Sequence, residues 1–154
     1  MRDLTLTARP VTEADLDWIA ACEQSVLRFP WRRSAFEASM AAGHLCLLAL
    51  DGAVPAGYSV CMRVLDELHI LNIVVAPDFQ RRGVGGWLLD ETISRAGDLA
   101  HGPVLLEVRV SNAVARHLYL SKGFVEIGIR KDYYPSDGRR EDAVVMCKER
   151  QVAV

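Results

Sequence analysis

Residues 69–75 are the feature that most limits what this chain can fold into. They read His-Ile-Leu-Asn-Ile-Val-Val, almost uniformly apolar and β-branched, and Pro77 ends the run. Such a run predicts a central strand that is covered on both faces. A glycine-rich turn at 80–86 follows, and a helix begins near Gly83. One face of this helix is marked by four apolar residues, Leu89, Ile93, Ala96 and Ala100.

Periodicity and turn residues place the other elements of the chain. Further strands are predicted at 4–9, 44–50, 57–65, 104–110, 125–133 and 142–148. A capping box at Thr12–Asp15 precedes a first helix, and Ser34 caps a second helix that ends at Gly43. Ser111–Asn112 caps a last helix that Gly123 terminates. The fold class is therefore α/β, with a mixed sheet of about seven strands flanked by four helices, because strand–helix–strand crossovers make the central pair parallel.

Length and composition exclude several classes of protein. The chain has 154 residues, of which 51% are hydrophobic and 25% charged, so we expect one globular domain over 1–154. No apolar run approaches the ~20 residues of a membrane span and no signal peptide is visible, which predicts a cytoplasmic protein without a membrane partner. A net charge of −2 argues against nucleic-acid binding. We expect a monomer without a metal site, in which four scattered cysteines are reduced and buried: Cys22, Cys46, Cys61 and Cys147.

The turn at 80–86, Gln-Arg-Arg-Gly-Val-Gly-Gly, is a candidate phosphate site. Unpaired backbone N–H groups and the positive end of a helix dipole converge at such a place, and Arg81 and Arg82 can add charge. A Walker loop is excluded because Trp87 stands where lysine is needed. A dinucleotide fingerprint is excluded because Leu88 occupies the position of its third small residue. The alternative is a tight turn with exposed arginines.

Glu107 and Tyr119 are candidates for proton transfer. Glu107 is a carboxylate in an otherwise apolar strand, on the same face as Arg109. Its alternative role is an ion pair with Arg109 on a solvated face. Tyr119 lies in the last predicted helix, where a core aromatic with its hydroxyl reaching solvent is the alternative.

The segment at 80–85 meets in full the pattern Gln/Arg-x-x-Gly-x-Gly/Ala after an apolar strand, which resembles the signature of the GNAT acetyltransferase superfamily. From the first helix to the last strand, the chain is similar to the ribosomal-protein-alanine N-acetyltransferase branch of that superfamily. The segments that carry this likeness are 29–31, 66–67, 72–73, 106–113, 118–119, 123–124, 133–135 and 141–143. The resemblance implies the GNAT acyl-CoA N-acyltransferase fold.

The resemblance also implies acetyl-CoA as cosubstrate and a role for each site residue. The turn would cradle the CoA pyrophosphate through Arg81, Arg82, Gly83, Val84, Gly85 and Gly86. The strand residues Ile73, Val74 and Val75 would line the pantetheine arm, and Asn112 would also contact the cofactor. Glu107 would act as general base and Tyr119 as general acid, with a strand N–H near Val75 stabilising the oxyanion.

The acceptor implied by the resemblance is the N-terminal alanine of a small-subunit ribosomal protein. Four aromatic residues in predicted loops suit a peptide, or else staple their own loops: Phe29, Trp31, Tyr133 and Tyr134. Four carboxylates could receive a cationic N-terminus: Asp66, Glu67, Glu141 and Asp142. His69 is an alternative or assisting base. Two other functions stay open: acetylation of another amine such as a lysine side chain, polyamine or other small molecule, and a non-catalytic acyl-CoA-binding module.

Overall fold

The computed structural model of the protein describes residues 2–98 and 101–150. Its strands are β1 Leu6–Pro10, β2 Leu45–Asp51, β3 Val54–Val64, β4 Glu67–Val75, β5 Val104–Arg109, β6 Val125–Tyr134 and β7 Glu141–Lys148. Its helices are α1 Leu16–Val26, α2 Arg33–Ala41, α3 Val84–Arg95 and α4 Ala113–Ser121. Within the described residues these strands form one sheet in the order β1-β2-β3-β4-β5-β7-β6. The predicted mixed sheet of seven strands with four helices is confirmed.

Each face of the sheet is covered by one pair of helices. Helices α1 and α2 pack over one apolar cluster, and helices α3 and α4 pack over the other. Neighbouring residues of β3 show the alternation, because Tyr58 bonds to Glu23 of α1 while Ser59 bonds to Thr92 of α3. We call these two sides the α1/α2 face and the α3/α4 face.

The strands β4 and β5 pair only over their first residues. They run parallel, and the paired positions end at Ile70 and Leu106. Beyond that point β4 continues to Val75 against β3, while β5 continues to Arg109 against β7. The two strands therefore diverge and leave an opening in the centre of the sheet, which we call the β4–β5 gap.

A β-bulge in β4 lies where this gap begins. Val60 of β3 is paired with Asn72 and the next residue, Cys61, with Ile70, so Leu71 is the additional residue in the ladder. A bulge changes the direction in which the following side chains point. Both Leu71 and Asn72 consequently face the α1/α2 side, since Leu71 packs against that cluster and Asn72 bonds to Glu23 of α1.

The ends of the helices agree with the sequence except at α2. The capping box at Thr12–Asp15 is present, and Asn112 caps α4 by accepting a 3.1 Å hydrogen bond from the N–H of Ala115. Ser34 does not cap α2 as predicted, because the helix already begins at Arg33. Gly43, at φ +81°, follows the end of that helix as expected. The predicted face of α3 included Ala100, which lies outside the described residues.

The cysteines are free thiols, as predicted. Cys22, Cys46 and Cys61 are buried, whereas Cys147 is only half-buried. Burial raises the pKa of all four thiols, and that of Cys61 to about 12. No group of three or more histidine, cysteine or carboxylate side chains in residues 2–98 and 101–150 could hold a metal ion. Over the same ranges every helix falls short of the length and apolarity that a bilayer span requires.

Candidate active site

A cleft of about 640 Å³ passes through the β4–β5 gap. On the α1/α2 face its walls include Trp31 from the loop after α1 and Glu107 from β5. On the α3/α4 face they include Ala115 and Tyr119 of α4. A cleft with walls on both faces of one sheet can admit two molecules from opposite sides and bring them together in the middle.

Glu107 lies where this cleft meets a smaller one of about 330 Å³. Its side chain is 25% exposed and forms an ion pair with Arg130 of β6, at 2.8 Å between Oε1 and Nε. A hydrogen bond with Glu107 is the main reason why the pKa of the Tyr133 hydroxyl is raised. The alternative pairing of Glu107 with Arg109 is wrong, because Arg109 has other partners. The carboxylate therefore faces the cleft with an exposed cation as its counterion.

Arg109 joins three segments that surround the cleft. Its Nη1 donates to the Pro135 carbonyl at 2.8 Å and to Glu141 at 3.2 Å. Its guanidinium lies 5.3 Å from the ring centre of Phe29 and 4.6 Å from that of Tyr134. These contacts tie the loop after α1 and the β6–β7 connection to β5, so Arg109 shapes the side of the cleft that an acceptor would enter.

Tyr119 occupies the opposite face of the gap from Glu107. It is 7% exposed, and its ring packs at 5.9 Å from that of Phe124. Burial raises the pKa of its hydroxyl to about 12. Because Glu107 belongs to the α1/α2 face and Tyr119 to α4, the two predicted proton-transfer groups lie on opposite sides of the same opening.

The edge of β4 offers backbone groups to the gap. The N–H of Ala76 donates to β3 through Ala56 at 2.8 Å. Successive N–H groups of a strand point in opposite directions, so the N–H of Val75 points into the gap, as does that of Ile73. The carbonyl of Val75 accepts a 3.1 Å bond from the side chain of Gln80. Val74 points its backbone groups towards β3, and its side chain is buried in the core of the α1/α2 face, so neither faces the gap as predicted for the pantetheine arm.

The glycine turn has the backbone expected of an anion site. Gly83 is the N-cap of the 12-residue helix α3 at φ +80°, and no side chain caps that helix. Arg81 also has a positive φ, +62°, which is uncommon for a residue with a Cβ. The first N–H groups of α3, at Val84, Gly85 and Gly86, therefore have no intrahelical partner. Such an end attracts phosphate oxygens.

The two arginines of this turn differ in their surroundings. Arg82 donates to the carbonyl of Arg2 at 3.0 Å, and its guanidinium lies 5.9 Å from the ring centre of Phe79. Arg81 is exposed. A turn with only a structural role would be expected to cap the helix that follows it. No side chain caps α3, so the geometry favours an anion site over a plain tight turn.

Three of the four predicted aromatic residues line the main cleft. These are Phe29, Trp31 and Tyr134, while Tyr133 lines the adjoining cleft together with His69. Trp31 also packs on Phe36, with ring centres 5.2 Å apart. Phe29 and Trp31 lie in the loop after α1 as predicted, whereas Tyr133 and Tyr134 are the last residues of β6 and are not in a loop. Trp31 therefore packs against α2 and presents a surface to the cleft at the same time.

Most of the carboxylate and amide groups that were predicted to contact a ligand form hydrogen bonds within the protein. Of the four acidic residues, only Glu141 lines the main cleft, where it accepts from Arg109 and from the N–H of Ser111 at 2.7 Å. These bonds, Ser111 first, lower the pKa of Glu141. The others bond elsewhere: Asp66 to the His101 N–H, Glu67 to His69 and Asp142 to Lys131. The Oδ1 of Asn112 is occupied as the cap of α4.

Sequence reasoning missed Asn72, which lines this cleft, and Glu23, a buried residue bonded to it. Asn72 was noticed only as part of a matching segment, yet it and His69 are the polar residues of an apolar strand. Glu23 is 0% exposed and bonds to Asn72. It stands four positions after Ile19 on the apolar face of α1, and an acidic residue at such a position is a signal that could have been followed.

Comparisons with known proteins identify the family to which this fold belongs. The model of the Acetyltransferase (GNAT) family matches residues 13–124. The [Ribosomal protein bS18]-alanine N-acetyltransferase of Escherichia coli is 36% identical over 140 residues, which cover 91% of this chain and 95% of that protein. That of Salmonella typhimurium is 37% identical over 142 residues, covering 92% and 95%. The crystal structure of the Escherichia coli ribosomal-protein-S18-alanine N-acetyltransferase superposes with a TM-score of 0.89 at 35% identity, covering 97% of both chains. This chain belongs to the GNAT acetyltransferase family.

Proposed function

We propose that this protein transfers an acetyl group from acetyl-CoA to the N-terminal α-amine of a protein, the alanine of a small-subunit ribosomal protein being the favoured acceptor. The observation that carries the proposal is the cleft through the sheet, with Glu107 on one face and Tyr119 on the other. Donor and acceptor can then meet in the gap, and the acetyl group passes directly between them.

Acetyl-CoA fits the α3/α4 side of the gap. The uncapped start of α3 offers N–H groups for the pyrophosphate, and the N–H groups of Ile73 and Val75 lie along the path of the pantetheine arm. A strand N–H at Val75 can also donate to the thioester oxygen as negative charge develops on it. In this proposal the turn therefore binds the pyrophosphate of acetyl-CoA, and the β4 edge binds its pantetheine arm and thioester.

Glu107 is the general base of this proposal. An α-amine has a pKa near ~8 and is mostly protonated at neutral pH, so a proton has to be removed before it attacks. Arg130 holds the carboxylate in the free protein, and its side chain is 58% exposed. An exposed ion pair contributes little free energy, so the ammonium group of the acceptor can replace Arg130.

The acceptor is inferred from the relatives and from the shape of the entrance. The two enterobacterial relatives are named for alanine N-acetylation of ribosomal protein bS18. In this chain, Phe29, Trp31 and Tyr134 line the entrance on the α1/α2 face, and Arg109 holds two of these rings in place. Rigid aromatic surface of this kind suits an extended peptide.

The base assignment is tested by Glu107→Gln. We expect kcat with an alanine-initiated peptide to fall by about 10²- to 10⁴-fold, because general base catalysis is lost. The acetyl-CoA affinity, measured by calorimetry, stays unchanged because glutamine keeps the shape of the glutamate side chain. Glu126→Gln is the matched control, since Glu126 pairs with Arg116 at 2.7 Å outside the cleft. Unchanged turnover in Glu107→Gln would make another group the base.

The acceptor class is tested with a panel of peptides that differ at their first residue. Peptides starting with alanine should give the highest kcat/KM, and the same peptides with a blocked α-amine and a free lysine should give none. Polyamines are measured in parallel. Faster turnover of lysine side chains or polyamines would reassign the acceptor, and an enzyme that binds acetyl-CoA without any transfer would be a binding module.

A further inference from the structure

Glu23 is a buried carboxylate that the proposed chemistry does not use. It is 0% exposed and accepts hydrogen bonds from three segments of the chain. The donors are the N–H of Trp31 at 2.8 Å, the Tyr58 hydroxyl at 2.8 Å and the Asn72 amide at 3.1 Å. Removing a carboxylate from water is costly, and three donors are what make such a site tolerable. Two of them, Trp31 and Asn72, line the active-site cleft.

The carboxylate determines which end of the Asn72 amide faces the cleft. Burial and the adjacent Glu23 raise the pKa of the Tyr58 hydroxyl, so that hydroxyl keeps its proton and donates. The Trp31 N–H can only donate. Glu23 is thus the acceptor throughout, and Asn72 has to turn its NH₂ group towards it.

The Oδ1 atom of Asn72 then points away from Glu23. In residues 2–98 and 101–150 it accepts no hydrogen bond, and it is not among the buried polar atoms that lack a partner. It is therefore accessible, and the residue lines the cleft. The bulge at Leu71 places Asn72 on the α1/α2 face, which is also the face of Glu107.

We propose that Glu23 is a positioning residue that holds the Oδ1 of Asn72 ready to accept a hydrogen bond from the α-amine of the acceptor. This inference rests on the proposed function. The α-ammonium has three N–H bonds, of which Glu107 takes one proton and Asn72 accepts a second bond. After the proton has moved to Glu107, the neutral amine keeps two N–H bonds and a lone pair. Rotation about its Cα–N bond lets these two N–H groups donate to Glu107 and to Asn72, and the lone pair then points in the third direction, into the gap and at the thioester.

The same carboxylate also fixes the aromatic entrance. Its bond to the Trp31 N–H anchors the loop between α1 and α2, which carries Phe29 and Trp31. One buried group therefore sets both the amide that orients the amine and the loop that borders the peptide.

The test compares Asn72→Ala with Glu23→Gln. The glutamine side chain has a single acceptor oxygen and an NH₂ group, so one of the three donors loses its acceptor. If the Asn72 amide flips so that its Oδ1 accepts from the new glutamine NH₂ group, the NH₂ group of Asn72 faces the cleft in place of its oxygen. In both variants we expect kcat/KM for an alanine-initiated peptide to fall by about 10- to 100-fold, the effect of one hydrogen bond to a charged group. The acetyl-CoA affinity stays within about twofold of the parent.

A double-mutant cycle separates positioning from general damage. If Glu23 acts through Asn72, then Glu23→Gln introduced into the Asn72→Ala protein lowers kcat/KM by less than about threefold. Tyr58→Phe is the matched control, because it removes a donor from the same carboxylate without lining the main cleft. It should lower Tm while leaving the peptide KM within about twofold.

Each result decides between the assignments. A rise of the peptide KM beyond about twofold in Tyr58→Phe, with a fall in kcat/KM as large as that in Asn72→Ala, would overturn the positioning role and leave Glu23 a stabilising residue. Full additivity in the cycle would do the same. If the parent enzyme acetylates peptide amines and both variants have the same kcat/KM as the parent, this inference is overturned and the proposed function stands. A parent enzyme without activity on any peptide amine overturns the proposed function and this inference with it.

Discussion

Replacing Tyr119 by phenylalanine tests how the leaving thiolate is stabilised. The substitution removes one buried oxygen and keeps the ring that packs on Phe124. Burial raises the pKa of the Tyr119 hydroxyl to about 12, whereas a thiol has a pKa of about 8.5. Complete proton transfer from tyrosine to the thiolate is therefore uphill by about 3.5 pKa units, or about 5 kcal/mol. The hydroxyl should act mainly by donating a hydrogen bond to the developing negative charge.

A hydrogen bond to a charged group contributes about 1.5–3 kcal/mol, which corresponds to a fall in kcat of about 10- to 150-fold in Tyr119→Phe. Acetyl-CoA affinity should change little, since the charge is absent from the ground state. The hydroxyl stays protonated well above neutral pH, so the ratio of parent to variant kcat should be constant from pH 6 to about 10. Steady-state kinetics over this pH range with one alanine-initiated peptide measures the ratio.

Four outcomes would contradict this reasoning. A loss above about 10³-fold would mean full proton transfer, and no loss would mean that Tyr119 has no part in the reaction. A ratio that falls as the pH passes 9 would mean that the hydroxyl titrates near its ordinary value. A selenoester analogue of acetyl-CoA gives an independent check. Its better leaving group should reduce the loss of kcat in Tyr119→Phe. An equal loss with the thioester and the selenoester would count against leaving-group stabilisation.

Three further predictions concern stability and thiol reactivity. Arg9 is the main reason why the pKa of Asp15 falls to about 2, so this pair stabilises the fold above about pH 4 and its contribution is lost as the pH falls through 2. Urea unfolding should show Arg9→Gln less stable by about 1 kcal/mol at pH 6, and this difference should shrink below pH 4 and vanish below pH 2. Gly57→Ala should cost about 1–3 kcal/mol in the same assay, since its Cβ would lie 2.5 Å from the Val74 carbonyl oxygen, whereas Gly128→Ala meets nothing within 4 Å and should change stability by under about 0.5 kcal/mol. At pH 8 a thiol reagent should modify half-buried Cys147 before Cys61, whose pKa burial raises to about 12; the reverse order would contradict the packing around β3.

The strand–turn–helix unit at the centre of the fold could be predicted because its signals are local. An apolar run, three glycines and a helical repeat lie within 69–96, and β4 and α3 formed where they were expected. The cap of α4 by Asn112 was equally local. Ser34 misled the prediction of α2 because a cap residue is recognised only relative to the first helical residue, and that residue is Arg33.

The partners of the site residues could not be predicted, because they come from distant parts of the chain. Glu107 is paired with Arg130, which belongs to β6, and β7 lies between that strand and β5. Arg109 meets Glu141 only because β5 and β7 are adjacent. The extra residue at Leu71 has no signal in the sequence, since a bulge depends on the register with β3. The residue types of the site were visible, whereas their pairing depended on the order of the strands.

The sheet itself explains why the proposed base and the proposed proton donor come from different kinds of element. Side chains of one strand alternate between its faces, so Glu107 faces the α1/α2 side while its neighbours Leu106 and Val108 face the α3/α4 side. Both neighbours are apolar, so a proton donor on that side has to come from an element other than β5. Tyr119 of α4 meets that requirement. In the proposed reaction, attack and departure take place on opposite sides of the β4–β5 gap, and the two sides are built from separate segments. The entrance formed by Phe29, Trp31 and the β6–β7 connection can therefore change with the acceptor while the turn and the β4 edge stay suited to acetyl-CoA.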